Sequence, residues 1–263
     1  MTDDPVEARD FYDELAPYYD LIFNDWNAGM ARQGAVLAAL IDAELGPGAA
    51  PASVRILDAA SGIGTQALAL AARGFHVTAR DISNGAIARL RREATARDLR
   101  LDAGVGDMRA VAKTVSAPFD VVLAFDNSIP HLLSDADIEL AFRQFRAVLR
   151  PGGALLCSVR DYDSIERGVA TTFSYGERRR GGEVFRPRQE WTWEGTTHYR
   201  IAFIIDRDGL EGPSTPLRAV TRYYAVSIPR LLQLMAHAGF VRCRRVDDTL
   251  YQPILIGRVA ASE

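Results

Sequence analysis

Apolar residues recur at helical spacing between residues 9 and 45 (Leu15, Tyr18, Tyr19, Ile22; then Ala35, Val36, Leu40, Ile41), and Gly46-Pro47-Gly48 closes the second run. Two helices are therefore predicted ahead of the first strand. Residues 54–59 are a short apolar run broken by Asp58; Gly62 and Gly64 follow, then 67–72 with helix-forming composition up to Gly74. The strand signal returns at 76–80 and ends at Asp81; 84–97 is an amphipathic helix, and 101–105 a third strand ending at Gly106-Asp107. A β-α-β-α-β succession of this kind implies a parallel sheet.

Residues 119–125 are almost continuously apolar, as a central strand covered on both faces requires, and Ser134 with Asp137 introduces a helix running to Leu149. Pro151-Gly152-Gly153 turns into a fifth strand, 154–160, after which the alternation stops. Residues 161–195 are polar and arginine-rich, with Arg178-Arg179-Arg180 read as a solvated loop and Trp191 and Trp193 near the end. Two strand-like runs, 197–205 and 218–227, are separated by Gly209 and Gly212-Pro213 and read as an inserted antiparallel cap. A helix over 228–238 ends at Gly239 and leads to strands 241–246 and 254–259.

With 263 residues, 48% hydrophobic and 25% charged, the chain has the composition of an ordinary globular protein. We expect one domain over 1–263, elaborated by an N-terminal helical segment (1–50) and the cap (161–227). Thirty-four acidic residues against thirty-one basic give a net charge of -3, which offers no field for a nucleic acid. Thr2, Asp3, Asp4 and Glu7 give the N-terminus no secretory character, and no run approaches the length of a membrane span. Cys157 and Cys243 lie far apart in apolar runs, so buried free thiols and a cytoplasmic location are expected. Lys113 is the only lysine, which restricts Schiff-base chemistry to that residue.

A strand-glycine-helix turn directs free backbone N–H groups and the positive end of a helix dipole at the carboxyl edge of the sheet, where α/β folds bind ligands. The string Asp58-Ala59-Ala60-Ser61-Gly62-Ile63-Gly64 suits either a dinucleotide-binding dehydrogenase or an S-adenosylmethionine-dependent methyltransferase. Short-chain dehydrogenases carry a glycine in place of Asp58 and a catalytic tyrosine four residues before a lysine, whereas Arg109 stands four before Lys113. An acidic residue at the loop suits a ligand that has no pyrophosphate and carries a cationic sulfonium and ammonium. Asp81, about twenty residues on, can accept from a ribose diol. Asp107 and Met108 supply a carboxylate and a soft apolar side chain for an adenine edge and face. Taken singly, each residue is also an ordinary helix cap or core filler.

On these motifs, with Phe119-Asp120-Val121-Val122 and Leu149-Arg150-Pro151-Gly152-Gly153, the chain resembles the class I S-adenosylmethionine-dependent methyltransferases over most of its length. The resemblance implies a Rossmann-like seven-stranded, mostly parallel sheet with helices on both faces, N-terminal helices and an inserted antiparallel cap. Its cofactor is S-adenosyl-L-methionine, and no metal is expected. Ala60 replaces the usual first glycine, a small change where the nearest ligand group is not a diphosphate. Within this superfamily the chain is most similar to glycine and sarcosine N-methyltransferases, through 126–132, Val159-Arg160-Asp161-Tyr162-Asp163 and the pair Tyr223-Tyr224.

The resemblance implies that Asn127 and Arg160 hold a substrate carboxylate and that Tyr18-Tyr19-Asp20, Trp26 and Arg32 fold over the cofactor, with Arg32 the partner of its methionyl carboxylate. Arg32 also reads as a solvated helix arginine, and Trp26 as a packing residue. Asp58, Ala60, Gly62, Gly64, Asp81, Ile82, Asp107, Met108 and Phe125 complete the implied cofactor set.

Methyl transfer from a sulfonium needs alignment and exclusion of water more than acid–base work. Arg160 can clamp a carboxylate at two points, or instead pair with Asp161 or Asp163. His131 can take the amine proton, as can water; Tyr19 and Tyr223 can polarise the amine or close the pocket. The acceptor is then a small amine or carboxylated molecule. A hydroxyl or carbon acceptor on a natural-product scaffold, or a protein that binds the cofactor without turnover, are the alternatives. Nucleic acid and membrane are not expected as partners, and oligomeric assembly stays open.

Overall fold

The computed structural model describes residues 5–46, 48–209, 212–213 and 215–261; Thr2, Asp3, Asp4 and Pro47 of the sequence reading lie outside them. Helices α1 (Ala8–Leu15) and α2 (Trp26–Leu45), joined through a 3₁₀ turn at Tyr19–Ile22, precede β1 (Arg55–Asp58). Then come α3 (Thr65–Ala71), β2 (His76–Asp81), α4 (Asn84–Ala96), β3 (Asp102–Val105), β4 (Phe119–Ala124), α5 (Asp135–Val148) and β5 (Leu149–Ser158). After the cap, α6 (Ile228–His237) leads to β12 (Val241–Val246) and β13 (Ile254–Arg258).

The main sheet has seven strands in the order β12-β13-β5-β4-β1-β2-β3, parallel except for β13, which runs antiparallel to both β5 and β12. Alternate residues of β4 explain why both faces are covered. Val121 and Leu123 join Leu37 and Ile41 of α2 and Leu70 of α3 on one face; Val122 and Ala124 join Phe142 and Phe145 of α5 and Leu231 and Leu234 of α6 on the other. Each buried valine, leucine, isoleucine or phenylalanine among them stabilises the layers by roughly 1.5–3 kcal/mol. Capping fixes where the helices start: Ser83, Ser134 and Ser227 each accept from an amide in the first turn of α4, α5 and α6.

Two expectations about the strands change. The fifth strand runs continuously from Leu149 to Ser158, with Pro151-Gly152-Gly153 absorbed as an irregularity opposite β4 rather than a preceding turn. The cap contains β6 (Thr171–Ser174), β7 (Arg178–Arg180), β8 (Glu183–Glu194), β9 (His198–Gly209), β10 (Gly212–Pro213) and β11 (Leu217–Tyr224), forming an antiparallel sheet in which β9 lies between β8 and β11. β8 was hidden in the polar tract because its outward residues form cross-strand ion pairs, Arg188 with Asp206 and Arg186 with Asp208, and so dilute the apolar period of two.

Nor is Arg178-Arg179-Arg180 a solvated loop. Arg178 donates to the Phe23 carbonyl at 2.8 Å and to Asn24 at 2.6 Å, and Arg180 reaches Asp20 and the Pro17 carbonyl. These bonds hold the segment between α1 and α2 against the cap. Cys157 is buried in β5 as expected, but Cys243, on an edge strand, is only half-buried; both thiols are free.

Candidate active site

The loop from β1 to α3 is shaped by Gly64, whose φ of +102° is left-handed; a Cβ there would stand 3.0 Å from Leu68 and Leu90. The Ser61 amide bonds the Arg80 carbonyl at 3.0 Å, and the Gly62 amide donates to Asp81 Oδ2 at 2.7 Å, tying the loop to the end of β2. Oδ1 of Asp81 accepts from the Ser83 amide at 2.9 Å, so each oxygen keeps one lone pair for a ligand. Burial lifts the Asp81 pKa above its ordinary value, against the pull of these amides.

Asp58 is fully buried behind the loop, and neither carboxylate oxygen has a hydrogen-bond partner. Burial first, and the neighbouring Asp81 second, push its pKa up to about 8; the amides of Ala60 and Ala67 only soften the shift. An unsatisfied buried carboxyl of this kind favours a nearby cation, which restores its charge.

A cavity of about 340 Å³ opens in front of the loop. Of the cofactor residues expected from sequence, Tyr19, Ala60, Gly62, Asp81, Ile82, Asp107, Met108 and Phe125 line it. The carboxylate of Asp107 is shared with Arg109, whose amide lies at 2.8 Å and Nη2 at 2.6 Å.

Trp26 is buried away from the cavity: its Nε1 donates to Thr65 Oγ1 at 2.9 Å, and the guanidinium groups of Arg89 and Arg97 each sit 5.4 Å from its ring. It buttresses the start of α3. Arg32 lies exposed on the outer flank of α2, outside the cavity, because one helical step of 100° separates it from the inward face. Gln33 occupies that face, accepting from Gln66 at 2.8 Å.

Beyond β4 the backbone takes two consecutive left-handed residues, Asp126 (φ +57°) and Asn127 (φ +65°), a costly turn that persists only where its surroundings impose it. The Asp126 amide donates to Ser158 Oγ and the Asn127 amide to the Ser158 carbonyl. The Asn127 side chain is buried and engaged at both ends: Nδ2 donates to the Tyr162 hydroxyl at 2.8 Å, and Oδ1 accepts from the Arg160 amide at 2.9 Å. Asn127 therefore positions Arg160 rather than presenting itself to a ligand.

The half-buried guanidinium of Arg160 sits 4.9 Å from the Trp191 ring and 5.7 Å from that of Tyr223, and reaches the Tyr199 hydroxyl at 3.4 Å. No carboxylate lies within ion-pair distance of it among the described residues; Asp161 pairs with Arg245 and Asp163 with Arg167. The intramolecular alternative for Arg160 is thus absent, and a cation stands in an aromatic enclosure.

His131 is tied to Tyr12 of α1, Nε2 to hydroxyl at 2.8 Å, and Tyr12 continues to the Tyr223 hydroxyl at 3.2 Å. Burial, with the charge of Arg160, lowers the His131 pKa to about 3, so the imidazole is neutral at pH 7. Tyr224 points elsewhere, bonding Asp135.

The site contains residues that sequence reasoning passed over. Tyr12 had no motif around it. Asp126 and Ser128 were read only as part of a string, yet both line the cavity, and Ser128 Oγ is buried without a partner.

Residues 56–153 match a methyltransferase-domain family model. The chain is 29% identical over 196 residues to a glycine/sarcosine N-methyltransferase of Parasynechococcus marenigrum, covering 74% of this chain and 66% of that enzyme. It is 26% identical over 209 residues to one of Aphanothece halophytica, covering 76% and 75%. The fold is shared with CalS10, an amino pentose methyltransferase of Micromonospora echinaspora (TM-score 0.74, 21% identity, 92% and 94% coverage), described with S-adenosylmethionine bound. It is shared equally with the sugar N-methyltransferase KedS8 of a Streptoalloteichus species (TM-score 0.74, 17% identity, 99% and 96% coverage).

Proposed function

The chain is a class I S-adenosylmethionine-dependent methyltransferase, and we propose that its acceptor is a small amine bearing a carboxylate, of the glycine or sarcosine kind. The observation that carries this reading is Arg160, a guanidinium with aromatic rings around it and, among the described residues, no carboxylate within ion-pair distance. The 26% and 29% identical relatives named for glycine and sarcosine support it. The free thiols of Cys157 and Cys243 are consistent with a cytoplasmic location.

The residues at the β1–α3 loop suit the cofactor. Asp58, buried behind the loop, would favour its positive charge, Asp81 keeps lone pairs that would hold the ribose hydroxyls, and Ile82, Met108 and Phe125 would give apolar walls for the base. Asp107 would accept from the base edge. When bound, S-adenosylmethionine supplies a methyl group already activated by a sulfonium.

Arg160 grips the acceptor carboxylate, and its direction is set by the bond from its amide to Asn127. Tyr12 and Tyr19 line the cavity, with Tyr223 bonded behind Tyr12, and exclude water from the amine. His131, held neutral and bonded to Tyr12, keeps this roof in place rather than collecting a proton.

A second acceptor, an amino sugar, is favoured by the cavity's extension to Leu132, Leu133 and Thr221, which gives room beyond an amino acid. A mass-spectrometric methyl-transfer screen over glycine, sarcosine, dimethylglycine, amino sugars and phenols separates the readings. Activity on amino sugars or phenols alone overturns the carboxylated acceptor. Arg160→Met is expected to raise the acceptor KM about tenfold or more, the worth of one charge-assisted bond, with cofactor affinity unchanged; equal loss of both discards the clamp.

A further inference from the structure

Asp126 carries a half-buried carboxylate that the mechanism above does not use. It lines the same cavity as Tyr19, Ser128 and His131, and its left-handed backbone is fixed by Ser158. Gln66 Nε2 donates to Oδ2 at 3.0 Å, and the Tyr251 hydroxyl donates to Oδ1. Each oxygen is therefore oriented and still has an open lone pair. The charged and titratable groups that bear on it come from four directions: Asp58 from β1, Tyr19 from the N-terminal segment, Arg160 from the end of β5, and Tyr251 from the loop before β13. Ser128, two residues on, lines the same cavity, and its Oγ is buried without a partner.

We propose that Asp126, aided by Ser128, binds the acceptor's ammonium group and removes its proton, so that the site recognises a zwitterion with its carboxylate on Arg160 and its nitrogen on Asp126. This deepens the reading of a carboxylated amine acceptor and rests on it. One N–H bond of the ammonium breaks, one O–H bond forms on a carboxylate oxygen of Asp126, and the electron pair stays on nitrogen. The neutral amine has the lone pair that methylation consumes. Burial narrows the gap between the two acids from both sides, lowering an ammonium and raising Asp126, whose pKa lies above the ordinary carboxylate value because of desolvation. The proton leaves past Tyr251, whose hydroxyl touches Asp126 while its ring is exposed to solvent.

The test is calorimetric binding of glycine and of acetate to the full chain in the presence of S-adenosylhomocysteine, with pH profiles of kcat/KM for glycine. Glycine and acetate share the carboxylate and differ in the ammonium. Wild-type protein is expected to bind glycine about tenfold or more tighter than acetate, as one charge-assisted bond dictates. Asp126→Asn, which retains a side chain tolerant of positive φ, should erase that preference while leaving acetate and S-adenosylhomocysteine binding unchanged. Tyr251→Phe keeps the carboxylate but removes one donor to it, so the acid limb of the profile should move to higher pH.

Retention of the glycine preference in Asp126→Asn, or an unmoved acid limb in Tyr251→Phe, overturns the proposal, as does a loss confined to S-adenosylhomocysteine affinity. Failure of the acceptor reading looks different. Acetate binding insensitive to Arg160→Met, or no binding of either probe to wild type, removes the carboxylate clamp and this inference with it. Acetate binding lost in Arg160→Met beside an unaffected glycine preference in Asp126→Asn sinks only the inference.

Discussion

Replacing Asn127 by alanine perturbs two links at once, and their sizes follow from the geometry. The side chain donates to Tyr162 at 2.8 Å and accepts from the Arg160 amide at 2.9 Å, with no exposure to solvent. Leaving a buried donor or acceptor unmet costs about 1–3 kcal/mol each. The φ of +65° adds about 1–2 kcal/mol for a residue with a Cβ and no polar side chain to offset it. Asn127→Ala should therefore lose about 3–8 kcal/mol.

Asn127→Gly drops the backbone cost and should lose about 1–2 kcal/mol less than alanine, although it removes more atoms. Equilibrium urea denaturation measures the ordering. In the glycine variant, the better folded of the two, the acceptor KM should still rise severalfold, because the Arg160 backbone has lost its anchor, while affinity for S-adenosylhomocysteine holds. An alanine variant at least as stable as the glycine one refutes the strain argument. An unchanged acceptor KM refutes the positioning role.

Two further outcomes test the donor side. Asp58, with its pKa near 8, is mostly protonated at pH 7 in the free protein, and a bound cation favours its ionised form, so binding S-adenosylmethionine should release up to about one proton. Calorimetry in buffers of different ionisation enthalpy reads this directly, and release should vanish in Asp58→Asn and fade above pH 8. Because the folded pKa is raised, the same group contributes stability below about pH 3.8 that is lost as pH climbs through about 8, unless the ligand is present. Gly64→Ala should cost about 2–4 kcal/mol in thermal denaturation, since its φ is +102° and Leu68 and Leu90 lie 3.0 Å from the added carbon; a change below about 1 kcal/mol contradicts the packing described.

The parallel sheet was readable because β1, β2, β4 and β5 are short apolar runs that end in Asp58, Asp81, Asp126 and Arg160 or its neighbours, and those ends are where the site assembles. The cap was only half readable. β8 mixes Arg186, Arg188 and Glu190 with Phe185 and Trp191, and its charges make sense only opposite Asp206 and Asp208 on a partner strand. Arg32 illustrates a limit of motif reasoning: an arginine in the expected segment can stand exposed on the outer flank of its helix while Gln33, one step on, takes the buried position against Gln66. Tyr12 and the role of Asn127 depended on contacts 33 to 211 positions apart in the chain, which no local pattern encodes.

The point at which the cap joins the sheet divides responsibilities. The chain departs after β5 and rejoins at α6, so the whole intervening layer can drift in length and shape without disturbing the crossover connections that grip the donor. Arg160 is moored to the sheet through Asn127, whereas Trp191, Tyr199 and Tyr223 around it belong to the excursion. On the proposed reading, a lineage would inherit its appetite for negatively charged acceptors with one layer while renegotiating their bulk with the other.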